Sequence, residues 1–156
     1  MRKEETVDHN IKSAWHAIAR MYNQQASKYQ VTASIGFVLL NIHSEEGTPA
    51  TKIAPLMGLE ARSLTRMLKT MEEKKLIYRL PDPIDKRSVR IYLTELGKRK
   101  KELSKASVLL FNNRVRELIP ENKLKVFFEV INEINHLATT EKFDPSMFKI
   151  KDTKNS

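Results

Sequence analysis

Apolar and polar residues follow two different periods along this chain, and each period predicts a different kind of element. Helical spacing predicts an amphipathic helix near each end of the sequence. Strict alternation at Val89–Leu93 predicts a β-strand between them. The apolar positions of the two helices are Val7, Ile11, Ala14, Trp15, Ile18 and Tyr22 in the first, and Leu124, Phe127, Phe128, Ile131, Ile134 and Leu137 in the second.

Residues 53–69 predict two short helices joined by a tight turn. Ala54 is small enough for two helix backbones to cross closely, and Gly58 allows the turn between them. Arginine can bridge O6 and N7 of guanine, while hydroxyls and lysine suit base edges and phosphates. An ordinary solvated helix face is an equally good interpretation of this segment alone. The outward residues of the second helix are Arg62, Ser63, Thr65, Arg66 and Lys69.

The next segment predicts a hairpin. Residues 75–80 are rich in β-forming residues, residues 81–83 interrupt this run, and Val89–Leu93 forms the returning strand. Asp85 stands two residues before Arg87, so we expect an ion pair that holds the guanidinium in one direction, as a narrow minor groove requires. The alternative is a polar loop with an incidental pair, which stabilises a fold by about 0 to 1 kcal/mol. The tip also contains Asp82, Lys86 and Ser88.

The order helix, turn, helix, hairpin is the winged helix-turn-helix arrangement. Specific motifs indicate which family with this arrangement the chain resembles. The chain resembles the multiple-antibiotic-resistance regulator (MarR) family in Asp85-Lys86-Arg87-Ser88 followed by Leu93-Thr94-Glu95-Leu96-Gly97. The likeness extends over about nine-tenths of the chain. It includes Gly58-Leu59, Leu64-Thr65-Arg66-Met67-Leu68, Glu73-Lys74-Lys75-Leu76-Ile77, Val31-Thr32 and Ile119-Pro120-Glu121.

The resemblance implies a mainly α fold with a small β-hairpin in a single domain, residues 1–156. A winged helix-turn-helix at about 32–94 would be flanked by dimerisation helices at about 5–30 and 95–138, with a tail at 139–156. Family members are mostly dimeric bacterial transcription regulators. A twofold dimer would place two recognition helices about 34 Å apart, which fits a palindromic operator in double-stranded DNA. Packing within a monomer is the alternative use of the terminal helices.

Two residues depart from what a helix-turn-helix favours. Pro55 falls inside the first short helix if that helix begins at Thr48-Pro49, so we expect a kink or a late start. Glu60 stands at the N-cap of the second helix, where Ser, Thr, Asp or Asn would accept backbone hydrogen bonds. Its charge suits the helix dipole but opposes nearby phosphates.

Composition supports a polyanionic partner without specifying one. The formal net charge is +9, and 40% hydrophobic residues suffice for one core. The basic run Lys98-Arg99-Lys100-Lys101 opens a long helix that Thr94 caps and Pro120 ends. A solvated face is the favoured interpretation of this run, and phosphate contact is the alternative.

In relatives, small ligands often bind between the dimerisation helices and the winged helix-turn-helix, which is called the reader below. The residues here that would line such an effector site are Trp15, His16, Phe37 and Phe111, although packing in the core is the favoured interpretation for each. The apolar residues Phe143, Met147 and Phe148 of the tail are expected to dock on the protein's own dimer.

Catalytic and metal-binding motifs are absent from the sequence. His9, His16, His43 and His136 lack ligand spacing, there is no cysteine, and no phosphate or dinucleotide loop appears. We therefore expect no enzyme activity, no cofactor and no metal. Without a targeting signal or a membrane span, a cytoplasmic protein is expected. The function predicted is a DNA-binding regulator, a repressor released by a small effector; the alternative is a winged-helix module that binds protein or RNA.

Overall fold

The structure is a computed structural model, and it describes residues 1–144 of the chain. The predicted mainly α fold with a small winged sheet is confirmed. A short 3₁₀ turn, Lys3–Glu5, precedes the first helix. The elements are α1 Val7–Ser27, α2 Ala33–Leu40, β1 Thr48–Pro49, α3 Ala50–Met57, α4 Ala61–Glu73, β2 Ile77–Pro81, β3 Val89–Leu93, α5 Glu95–Leu118 and α6 Glu121–Thr140.

The chain divides into two compact units, and the boundary falls within α5, after Phe111. The first unit, Met1–Phe111, contains the sheet and the two short helices of the predicted reader. The second begins at Asn112 and contains the end of α5 and all of α6. That the whole chain acts as one domain stays a prediction.

The core of the first unit forms where α2, α3, α4 and the sheet meet. The second helix of the chain, α2, is apolar on nearly all sides, which is typical of a helix surrounded by other elements. Its N-terminus is closed by Thr32, whose side chain accepts a hydrogen bond from the Ile35 backbone N–H at 3.2 Å. The most deeply buried side chains are Val38, Leu39, Ile42, Ile53, Met71 and Ile91.

The sheet has a third strand that the sequence pattern did not predict. Its order is β1-β3-β2, and β1 pairs antiparallel with β3 through Thr48 opposite Ile91 and Pro49 opposite Arg90. Two residues are too few to show alternation, and their partners lie some forty positions later in the sequence. Proline is tolerated here because β1 lies at the sheet edge.

The helix α3 begins at Ala50, one residue later than a start at Pro49, with Pro49 as its N-cap. It continues through Pro55 to Met57. Pro55 has no N–H to donate to the Thr51 carbonyl one turn earlier, and both residues are exposed. Gly58 ends the helix with φ of 61°, the left-handed conformation expected of a glycine at this joint.

The junction between the hairpin and α5 is closely packed. The predicted cap is present, because the Thr94 hydroxyl oxygen accepts the Gly97 backbone N–H at 3.0 Å and donates to the Lys75 carbonyl at 2.7 Å. A methyl group on Gly97 would collide with the Leu76 carbonyl oxygen. Only glycine therefore lets the first turn of α5 pack against the start of β2.

Candidate nucleic-acid interface

The second helix of the reader, α4, has one buried face and one exposed face. Leu64, Leu68 and Met71 are buried at helical spacing. Positions two residues away lie about 200° around a helix, so Arg62, Arg66 and Lys69 project from the opposite face. The outward residues that the sequence predicted, Arg62, Ser63, Thr65, Arg66 and Lys69, are all exposed.

In the described part of the chain, the cations of this face and of the hairpin tip have no carboxylate partners. Within residues 1–144, none of these five basic side chains joins an ion pair: Arg62, Arg66, Lys69, Lys86 and Arg87. A guanidinium already paired with a carboxylate would have to lose that partner before binding a phosphate. These five need no such exchange, which favours an anionic ligand here.

The hydroxyls of α4 contribute less than its cations. Thr65 donates its hydroxyl hydrogen to the Ala61 carbonyl at 2.9 Å, one helical turn earlier. Its oxygen can still accept, but its donor is occupied. Ser63 is exposed near the helix N-terminus.

The N-terminus of α4 lacks a side-chain cap, as Glu60 predicts. Glu60 is the N-cap residue and makes no side-chain cap hydrogen bond. Its backbone carbonyl accepts from Ser63 and Leu64 at 3.1 and 3.2 Å. Unsatisfied N–H groups therefore remain at the positive end of this helix, where an anion can accept from them.

A buried carboxylate organises the base of the hairpin tip. Asp82 is only 4% exposed, and its Oδ1 accepts the backbone N–H groups of Ile84 and Asp85 at 2.9 and 3.1 Å. These two hydrogen bonds, followed by the Arg90 guanidinium, lower the pKa of the Asp82 carboxyl. Asp82 therefore fixes the direction in which the chain leaves β2.

Arg90 connects this carboxylate to the edge of the sheet. Its Nε donates to Asp82 Oδ2 at 2.9 Å, and its NH1 donates to the Glu46 and Gly47 carbonyls at 3.1 and 3.4 Å. Gly47 has φ of 65°, and a Cβ there would press on the Ile91 carbonyl oxygen and the Tyr92 ring. The tip is thus tied to the loop that leads into β1.

The predicted pairing of the Asp85 carboxylate with the Arg87 guanidinium is not what the structure has. Asp85 Oδ1 accepts the Arg87 backbone N–H at 3.0 Å instead. Ser88 is also structural, because its hydroxyl donates to the Asp85 carbonyl at 3.0 Å. These are turn contacts typical of Asp and Ser. They leave the side chains of Lys86 and Arg87 exposed beside each other.

Replacement of Asp82 by asparagine tests this arrangement. Asparagine can accept the two backbone N–H groups but has no charge for Arg90, so we expect a lower Tm at neutral pH. Because folding lowers the pKa of Asp82, its stabilisation is present above the unfolded carboxyl pKa of about 3.9 and is lost as the pH falls through the folded pKa. The Tm difference from wild type should therefore shrink in acid.

The matched control is Asp8→Asn, the same chemical change at an exposed residue of α1. Thermal unfolding followed by circular dichroism between pH 3 and 7 makes the comparison. An Asp82→Asn protein as stable as the wild type at pH 7 would contradict the proposed importance of this ion pair.

Three lysines of the basic run at the start of α5 contact other parts of the first unit, so they are not simply solvated. Lys98 contacts Glu45 at 3.0 Å, which raises the pKa of Lys98, and Lys100 donates to the Tyr29 carbonyl at 2.7 Å. Lys101 donates to the Ile42 carbonyl at 2.6 Å and to Ser44, and burial lowers its pKa. These lysines hold α5 against loops of the reader, while Arg99 is exposed.

Three of the four residues predicted to line an effector site belong to one aromatic cluster. Trp15 contacts Phe37 with ring centroids 6.1 Å apart, and both Phe37 and Phe111 contact Tyr22, at 5.5 and 5.8 Å. His16 is exposed. Only Phe37 lines the apolar pocket between α1, α2 and α5 of the first unit.

That pocket has a cavity volume of about 30 Å³; the total empty space is about 390 Å³ when the open solvent at its mouth is included. Its apolar walls are mixed with a few hydroxyls. Burial raises the pKa of the Tyr22 phenol. Reasoning from the sequence missed most of its lining, because the pattern does not show which residues of α1 and α5 face α2. The wall includes Tyr22, Tyr29, Val31, Phe37, Leu103, Ser104 and Ser107.

The described part of the chain contains no group of three or more His, Cys, Asp or Glu residues that could hold a metal ion. Among the helices of residues 1–144, none combines the length and the apolar composition of a membrane span. Of the predicted tail contacts, Phe143 is 71% exposed, and Met147 and Phe148 lie outside the described residues.

Comparison with known proteins identifies the reader. The model of the MarR family matches residues 31–89, which run from the start of α2 through the hairpin tip. The chain carries a MarR-family domain. The resemblance that the motifs predicted is thereby confirmed, and the relatives are transcriptional regulators rather than enzymes.

The MarR-family domain has a curated relative in the HTH-type transcriptional regulator SarZ of Staphylococcus aureus. The two are 32% identical over 96 residues, which is 61% of this chain and 65% of SarZ. The match thus spans just under two-thirds of that relative's length.

Solved structures show the same fold at lower identity. MepR of S. aureus, in a complex with DNA, has a TM-score of 0.77 at 20% identity, covering 84% of this chain and 97% of MepR. PcaV of Streptomyces coelicolor, in complex with its natural ligand, has a TM-score of 0.76 at 19% identity, covering 88% and 97%. These likenesses extend the shared fold beyond the MarR-family domain itself.

Proposed function

We propose that this protein is a homodimeric, sequence-specific transcription regulator of bacterial cytoplasm that binds double-stranded DNA. The observation that carries the proposal is the set of exposed, unpaired cations on α4 and at the hairpin tip. Arg62, Arg66 and Lys69 would face a major groove, and Lys86 and Arg87 an adjacent minor groove. The DNA complex of MepR, which has the same fold, supports this assignment.

The proposed dimer rests on apolar side chains exposed in both terminal helices. On α1, Val7, Ile11 and Trp15 are 54%, 40% and 51% exposed at helical spacing. On α6, Phe127, Val130 and Leu137 are 55%, 48% and 50% exposed. Rows of this kind are rare on monomers in water, and a second copy of the chain would cover them. Two readers would then bind two half-sites of a palindromic operator.

The proposed effector site is the pocket between α1, α2 and α5, lined by Tyr22, Tyr29 and Phe37. Aromatic walls and a few hydroxyls suit a small, flat, largely apolar molecule. PcaV was solved with its natural ligand, which supports ligand control in this fold. Because α5 begins at the hairpin and also lines the pocket, a ligand that shifts α5 would move the reader. Release of DNA by the ligand, and thus repression, is the proposed consequence.

Salt dependence separates this function from the alternative of a protein-binding module. Binding to a duplex from the gene's own promoter region should weaken by about 10³ to 10⁵ between 50 and 200 mM salt, if six to ten phosphates are contacted. Fluorescence anisotropy measures it directly, with single-stranded RNA of the same sequence as competitor. An affinity that is flat across this range would contradict the proposal, and so would stronger competition by RNA than by duplex DNA.

A further inference from the structure

The end of the hairpin presents one large apolar side chain to solvent. Ile84 is 88% exposed, more than any other large apolar residue of the described chain except Met1. Most of the other exposed large apolar residues of the described chain lie on helices. Ile84 instead lies in the loop between β2 and β3, two residues before Lys86.

The loop around Ile84 is held in place rather than left free. The Ile84 backbone N–H donates to Asp82 Oδ1 at 2.9 Å, and Arg90 holds the same carboxylate from the other side at 2.9 Å. The Asp82 and Ser88 backbones close the loop, with Asp82 N–H donating to the Ser88 carbonyl at 2.9 Å. A partner that covers Ile84 would therefore pay little entropy for ordering the loop.

The chemistry around Ile84 favours one kind of partner. Lys86 and Arg87 are exposed next to it, so the matching surface needs anionic edges around an apolar interior. A DNA minor groove has this composition, with phosphates along its rims, deoxyribose on its walls and a width of about 6 Å. A lipid surface would require a broader apolar face than a single isoleucine.

We propose that Ile84 is a specificity-determining residue, an inference that rests on the proposed DNA-binding function. Its side chain packs against the deoxyribose walls of the minor groove and selects A·T-rich flanks. The reason lies on the groove floor. A G·C pair places the guanine N2 amino group there, whereas an A·T pair does not. Isoleucine cannot accept a hydrogen bond from that amino group, so covering it would leave a polar group unsatisfied. The same side chain fits an A·T floor without this penalty.

Inosine provides the test, because an I·C pair keeps the major groove of G·C and lacks the N2 amino group. A duplex that the wild-type protein binds is prepared with A·T, I·C or G·C at the positions the wing tip covers. Wild type should bind the A·T and I·C forms alike and the G·C form about tenfold more weakly. Ile84→Ala should remove most of this difference, and Ile84→Leu should retain it.

Two controls make the outcome specific. Leu80→Ala changes another exposed apolar residue of the same hairpin, 48% exposed on β2, and should leave the flank preference intact. Thermal unfolding of Ile84→Ala should match wild type, since the side chain has almost no contacts to lose. The inference is overturned if I·C behaves like G·C, or if Ile84→Ala keeps the full preference while still binding DNA. Absence of duplex binding by the wild type would overturn the proposed function as well.

Discussion

Replacement of Arg66 by alanine is expected to weaken binding to the preferred duplex by about 1 to 3 kcal/mol for each half-site and to relax sequence choice at the contacted base pair. Arg66 lies in the middle of the exposed face of α4, opposite Leu64 and Leu68, and joins no ion pair within residues 1–144. Its guanidinium is therefore free to bridge O6 and N7 of one guanine. Titration of duplexes that differ at single base pairs measures both effects.

Two further variants separate base recognition from charge. Arg66→Lys keeps the charge but cannot form the bidentate contact, so it should recover part of the affinity and little of the sequence choice. Arg20→Ala removes one exposed positive charge from α1 and should change neither. Equal loss of affinity on all duplexes in Arg66→Ala would show that Arg66 contacts only the phosphate backbone.

Replacement of Phe127 by glutamate is expected to dissociate the dimer and to lower DNA affinity by about 10² to 10⁴, because the two half-sites are then bound independently. Phe127 is 55% exposed on α6 and stacks edge-to-face against Phe128 at 5.5 Å. A charge at this position would have to be buried without a partner at the proposed interface. Sedimentation equilibrium measures the first effect, and anisotropy the second.

The matched control is Asn132→Glu, which adds the same charge at an exposed polar position of α6. It should remain dimeric and bind DNA normally. A Phe127→Glu protein that sediments as a dimer would contradict the role proposed for this face.

The periodic parts of the fold could be predicted from the sequence. Alternation over Val89–Leu93 and the break at residues 81–83 predicted the hairpin, and helical spacing with Thr94 and Pro120 predicted the bounds of α5. Local chemistry decides these features, because a proline, a cap or an alternating strand acts within a few residues. Gly58 and Glu60 were predictable for the same reason.

Features that depend on distant residues were not predictable in this way. The strand β1 exists because Thr48 and Pro49 find partners on β3, some forty positions later. Asp82 was predicted as one more polar residue of the tip, whereas its burial follows from Arg90, eight positions away, and from the loop before β1. The lysines of α5 likewise acquire partners only when the loops at Tyr29 and Ile42 fold against them.

The candidate interface also has some features that local sequence predicted and others that it did not. Exposure of the cations on α4 followed from helical geometry and the buried Leu64, Leu68 and Met71. The orientation of the tip did not, because Asp85 bonds to a backbone N–H rather than to the Arg87 guanidinium. The sequence motif predicted a hairpin tip with Asp85 and Arg87, and the structure shows that Asp82 and Arg90 hold this tip in place.

Selection from a random duplex library with the wild-type protein tests whether two copies of this chain bind DNA together. A dimer with two recognition helices should enrich an inverted repeat whose half-sites lie one helical turn apart, about 34 to 36 Å between centres. Recovery of an unenriched pool at low salt, or of a single half-site without symmetry, would contradict it.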